Sequence, residues 1–134
     1  MTPREASCSC GEIRLRCAGE PVRISVCHCL ECQKRTGSAF GAQARFRTED
    51  VEFLSGEPSL YVRRADSGRT ISFRFCANCG STVWYGIDDQ PELVAVTLGA
   101  FADPSFPQPR FSVYEERKHG WIDFIEKEPI DHIR

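Results

Sequence analysis

Apolar and polar residues alternate with a period of two over much of this chain. Ile13, Leu15 and Cys17 alternate with Glu12, Arg14 and Arg16. Phe40, Ala42, Ala44 and Phe46 alternate with Gly41, Gln43 and Arg45, and Ile71, Phe73 and Phe75 with Ser72 and Arg74. That period sends successive side chains to opposite faces of an extended backbone, so these segments are expected to be strands. Shorter strands are expected at 22–26, 51–54, 60–62, 82–85, 93–97 and 111–114, separated by turn signals at 55–58, 66–68 and 88–91. Helical expectation is confined to a short turn or helix over 31–35 and one turn after Glu115. Residues 103–110 hold three prolines and are not an ordinary helix. The fold class is mainly β, built from short antiparallel strands with little helix. No repeat or linker divides the chain, so one domain over 1–134 is expected.

Composition changes this picture at one point. Hydrophobic residues make 41% of the 134 and charged residues 27%, which is ordinary. A formal charge of −2 disfavours a nucleic-acid partner. No apolar run is long enough to span a membrane, and no signal peptide is visible, so a cytoplasmic protein is expected. Eight cysteines are the outlying number. Seven fall into tight groups: Cys8-Ser9-Cys10, Cys27-His28-Cys29-Leu30-Glu31-Cys32 and Cys76-Ala77-Asn78-Cys79. Disulfides inside such groups would close very small rings, whereas thiolates at these spacings suit a metal ion.

Cys76 and Cys79 follow a strand and precede Gly80, the pattern of a zinc knuckle, although a redox dithiol or two buried thiols share the spacing. Cys8 and Cys10 would present both sulfurs on one face of an extended chain. Each pair needs two more ligands, and together they make a closed four-thiolate set for a structural zinc. Spacing alone leaves other partitions open. Cys27, Cys29 and Cys32 can reach a second ion from one loop. Either a fourth position stays open for chemistry, or a remote His28, His119 or His132 closes it. Cys17 shares the apolar face of its strand and reads as a small buried hydrophobe. After Cys32, Lys34 and Arg35 are candidates for substrate carboxylates, and Gly37 and Ser38 for backbone amides near the second zinc. A solvated basic turn is the plainer reading. Trp121 either walls a pocket or packs on the sheet.

The ordered set C-x-C-G, then C-x-C-x-x-C followed by K-R-x-G-S, then F-C-x-x-C-G, resembles the glutathione-dependent formaldehyde-activating enzyme family, also called the centromere protein V family. Segments 98–104 and 118–121 look like that family's tail. The resemblance implies a zinc β-fold of several coiled sheets. It implies a structural zinc on Cys8, Cys10, Cys76 and Cys79 and a catalytic zinc on Cys27, Cys29 and Cys32; three thiolates with an exchangeable fourth ligand would hold the second zinc less tightly. The activity implied is that of a carbon–sulfur lyase joining glutathione to formaldehyde as S-(hydroxymethyl)glutathione. Two alternatives stand beside it: the same chemistry on another thiol or aldehyde, and a non-catalytic zinc module for protein interaction.

Overall fold

The computed structural model describes residues 2–134. Eleven strands form two sheets. The smaller sheet has the order β1 (Arg4–Ser7), β2 (Arg14–Cys17), β5 (Val51–Ser55), all antiparallel. The larger contains β3 (Arg23–Cys27), β4 (Gly41–Arg47), β6 (Ser59–Arg64), β7 (Thr70–Phe75), β8 (Thr82–Ile87), β9 (Leu93–Thr97), β10 (Phe111–Val113) and β11 (Asp131–His132). Its strand order is β11-β10-β3-β4-β9-β8-β7-β6. The one α-helix among the described residues, α1 (Leu30–Thr36), joins β3 to β4 and includes the 31–35 segment expected to be helical. Short 3₁₀ turns lie at Thr48–Asp50, Leu98–Phe101 and Glu115–Arg117, the last at the turn expected after Glu115. Among the described residues, no helix is long and apolar enough to cross a membrane.

Two pairings depart from the antiparallel expectation. β10 runs parallel to both β3 and β11. Parallel neighbours need a long crossover rather than a hairpin. β3 and β10 are separated by all of β4–β9, and residues 114–130 cross from β10 to β11; the proline-rich stretch brings the chain back to β3, where Arg110 N–H donates to the Ile24 carbonyl at 2.9 Å. β1 and β11 lie outside the strands read from the sequence. β1 buries only Ala6, and both β11 residues are exposed, so neither carries a period-two signature.

The alternation does select the core. Ile24 and Ala44 face each other across β3 and β4, and Val96 of β9 lies opposite Ala44. These pack with Phe46, Val83 and Val94 against Ala6, Leu15 and Cys17 of the small sheet. Burial of such side chains stabilises by about 1.5–3 kcal/mol each. Cys17 is fully buried among them, and its thiol is pushed up to about 12 by desolvation. The opposite face of the large sheet carries Arg23, Ser25 and Cys27 on β3 against Arg45, Gln43 and Gly41 on β4. This face meets a cavity.

Candidate metal centres and cavity

Cys8 and Cys10 sit on a turn after β1, and Cys76 and Cys79 on the turn from β7 to β8. The first pair is not on extended chain. Gly11 takes φ +81° and its N–H donates to the Cys8 carbonyl at 3.1 Å, folding Cys8 and Cys10 into a knuckle. Gly80 does the same for the second pair, with φ +79° and an N–H to the Cys76 carbonyl at 2.7 Å. Positive φ is cheap only for glycine, which is why each knuckle closes on one. Ser9 Oγ and Ser81 Oγ, 2.9 Å apart, tie the two turns together.

The four sulfurs lie within 4.8 Å of one another. Cys8 and Cys10 Sγ are 3.6 Å apart, and Cys10 and Cys76 Sγ 3.7 Å. Four sulfurs about 2.3 Å from a tetrahedral zinc would be separated by about 3.8 Å, so the set fits such an ion. Backbone amides support negative charge there: Ile13 N–H donates to Cys8 Sγ at 3.2 Å. Cys79 is held down to about 5, first by the Ser81 side chain, then by the Ser81 and Cys10 backbone.

The second group forms where β3 runs into α1. Cys27 ends the strand, Cys29 caps the helix, accepting from Cys32 N–H at 3.3 Å, and Cys32 lies one turn in. Their sulfurs also lie within 4.8 Å of one another, and the group has the geometry to hold a metal ion. Cys29 is held down to about 2 by hydrogen bonds from the Cys27 and Cys32 thiols, and Cys27 is pushed up by the same contacts.

Among the described residues, no histidine nitrogen or carboxylate oxygen completes the trio. His28 is fully buried, with Nε2 2.9 Å from Ser112 Oγ and its ring against Phe40 and Phe124. Burial lowers its pKa, which keeps it neutral. His119 Nε2 is 2.9 Å from Gln33 Oε1, and His132 lies between Glu115 and Glu126.

All three sulfurs open onto a cavity of about 330 Å³, and none of the other four lines it. Six arginines share its wall: Arg23, Arg35, Arg45, Arg63, Arg69 and Arg117. Only Arg69 has an ion-pair partner among the described residues, Asp89 at 3.3 Å. Of the two acidic side chains on the wall, Glu31 is engaged with Lys34 at 3.8 Å, leaving Asp66. The Arg35 guanidinium lies 5.1 Å from the Phe73 ring centre and 5.5 Å from that of Tyr85, and Arg63 lies 5.3 Å from Phe73. Aromatic faces hold these cations without neutralising them. Gly41 leaves room at this point: a Cβ there would sit 3.2 Å from Arg35 Nη2 and 3.4 Å from Cys32 Cβ.

The residues singled out after Cys32 divide. Arg35 reaches the cavity; Lys34 is exposed and paired with Glu31. Gly37 caps α1 with its N–H donating to the Gln33 carbonyl, and Ser38 N–H donates to Thr36 Oγ1 at 3.1 Å. Neither amide faces the trio. Trp121 is 76% exposed, edge-on to His119 at 5.5 Å, and neither packs on the sheet nor lines the cavity. Gln43, Ser25, Arg23, Arg45 and Tyr85 were not singled out. Tyr85 owes its direction to an irregularity in the β7–β8 pairing, where Arg74 faces Trp84 and Phe75 faces Thr82, so that Val83 is extra. The bulge leaves Val83 in the core and turns Tyr85 to the cavity face.

Residues 3–117 match the family described as glutathione-dependent formaldehyde-activating enzyme. A Fusarium vanettenii protein provisionally named as such an enzyme is 24% identical over 99 residues, covering 67% of this chain and 52% of its own length. The chain thus matches about half of that curated relative. A crystal structure of a Rhodobacter sphaeroides protein superposes with a TM-score of 0.56 at 21% identity, over 79% of this chain and 92% of that one. That likeness is one of fold.

Proposed function

The chain belongs to the glutathione-dependent formaldehyde-activating enzyme family, and from this premise we propose that it is a zinc-dependent enzyme of the carbon–sulfur lyase type. Its reaction would join a thiol, glutathione, to formaldehyde. One zinc would be held by Cys8, Cys10, Cys76 and Cys79 as a cross-link, and a second by Cys27, Cys29 and Cys32. The observation that carries this reading is the trio's place on the wall of a cavity rich in unpaired arginine.

Zinc bound to the trio would lower the pKa of a thiol beside it, so that the thiolate dominates at neutral pH. The substrate's sulfur lone pair forms the new bond to the aldehyde carbon. The carbonyl π pair moves to oxygen, and the proton lost from the thiol ends on that oxygen. Arg35 stands beside Cys32 with donors to spare, suited to the alkoxide as its charge develops. Arg63, across Phe73 from the same region, adds to the positive field. A module that only docks proteins has no use for a sulfur trio facing such a cavity, which favours the enzymatic reading over an interaction module.

The test is the rate of S-(hydroxymethyl)glutathione formation above the uncatalysed background, with metal content measured on the same sample. Wild-type protein is expected to show excess rate and C29S none, with the fold intact. Full excess rate in C29S would overturn the proposal.

A further inference from the structure

Two arginines face each other where sheet chemistry disfavours it. Arg23 of β3 is paired directly with Arg45 of β4, and like charges in that position repel. Both Nε atoms are buried without a hydrogen-bond partner, and neither side chain has a carboxylate partner among the described residues. Burial and the Arg45 charge lower the Arg23 pKa. The Arg23 guanidinium is carried on the Phe111 ring at 4.2 Å, which orients it but leaves its charge unbalanced.

One step nearer the trio, Ser25 is paired with Gln43, and both are buried. Gln43 Nε2 donates to Ser25 Oγ at 2.8 Å, which fixes the amide. Its other end, Oε1, is buried and accepts nothing. All four residues line the cavity. One step further, Cys27 is paired with Gly41. Same-face residues on a strand are about 6.7 Å apart, so the arginine pair starts about 13 Å from the trio along the backbone. A peptide of a residue or two, about 3.3–3.6 Å per residue, would span most of that gap from the trio.

We propose that Arg23 and Arg45, with Gln43 and Ser25 below them, form a subsite for the C-terminal carboxylate of a peptide-like thiol whose sulfur is at the cysteine trio. The proposal rests on the thiol reading given above and adds which end of the substrate is recognised. The two guanidinium groups supply donors for a carboxylate. Gln43 Oε1 asks for an N–H donor next to that carboxylate. An amino-acid end would bring an ammonium group towards two unbalanced cations, whereas the last amide of a peptide brings a neutral N–H. The glycyl end of glutathione has this chemistry, and its γ-glutamyl end does not.

The experiment uses the metal-loaded full chain and calorimetric titration with S-methylglutathione, which keeps both ends and has no free thiol. R23M and R45M are each expected to weaken binding about tenfold or more, the loss typical of a charged hydrogen bond. Q43L is expected to weaken it less. Metal content and the circular dichroism spectrum are expected to be unchanged in all three. A variant-free arm compares S-methylglutathione with its glycyl ethyl ester, and the ester is expected to bind wild type as weakly as the acid binds R45M. Ester and acid binding alike, R23M and R45M binding as tightly as wild type, or no binding to wild type would each overturn the subsite. Arginine-dependent binding without excess adduct formation would leave the subsite standing and remove the proposed reaction. Excess adduct formation with an unchanged glutathione KM in R23M and R45M would do the reverse.

Discussion

The two cysteine clusters present the same donor atom in opposite settings. The four-sulfur cluster is enclosed between two glycine-closed knuckles from distant parts of the chain and joins the small sheet to the large one. The trio comes from six consecutive residues, joins nothing that β3 and α1 do not already join, and faces a cavity. A closed coordination shell is suited to holding a fold, and an open one to chemistry. Ligand identity therefore says less about a site's role than which segments supply the ligands and what lies on the remaining side.

The largest expected effect breaks the first half of this contrast. C76S should remove a ligand that spans the sheets and destabilise the protein by about 3 kcal/mol or more, seen as a fall of roughly 10 °C in the thermal midpoint. C29S should move that midpoint by no more than about 2 °C. Equal losses in the two variants would mean that the trio also holds the fold. Chelation should separate the clusters in time. A graded chelator is expected to remove one metal with circular dichroism unchanged and the second only as the protein unfolds. A single phase with both metals lost together would erase the distinction.

A subtler effect comes from the cavity wall. R35M should lower excess adduct formation by about tenfold or more while leaving the thermal midpoint near that of wild type, because the lost charge has no carboxylate partner among the described residues. A midpoint collapse would make Arg35 a packing residue instead.

The smallest effect concerns His132, which belongs to neither cluster. Its pKa is raised by the hydrogen bonds with Glu115, at 2.6 Å, and Glu126, and by their charges. A group raised on folding stabilises fully below its ordinary value, here 6.5, and that gain fades as pH rises through the folded value. The side chain is 37% exposed, so the gain is below about 1 kcal/mol. H132A should flatten the decline of the thermal midpoint above pH 6.5 and leave metal content untouched. An unchanged slope would assign the pH dependence elsewhere.

The sulfurs were legible in the sequence because metal spacing is local and few other uses of cysteine share it. The strands were legible because one face of each is apolar. Alternation is silent about what lies on the polar face. Gln43 and Arg45 read only as the residues alternating with the apolar face, and Gln43 is 3% exposed. The signal that would have found them is Arg23-x-Ser25-x-Cys27, which puts an arginine and a serine on the same face as a sulfur of the trio. Tyr85 was beyond such reasoning, since one bulge residue decides its direction. β1 was missed for want of apolar residues, and it forms because β2 offers it an edge.

The separation of the two clusters along the chain also sets an order of events. Cys10 and Cys76 are 66 positions apart, and closing so long a loop demands that the sheets have already met. The trio needs no such meeting, because its three sulfurs stay neighbours even in a chain without structure. During synthesis it can take up a cation long before Cys76 has been made. The last metal to be secured would then be the one on which the fold depends.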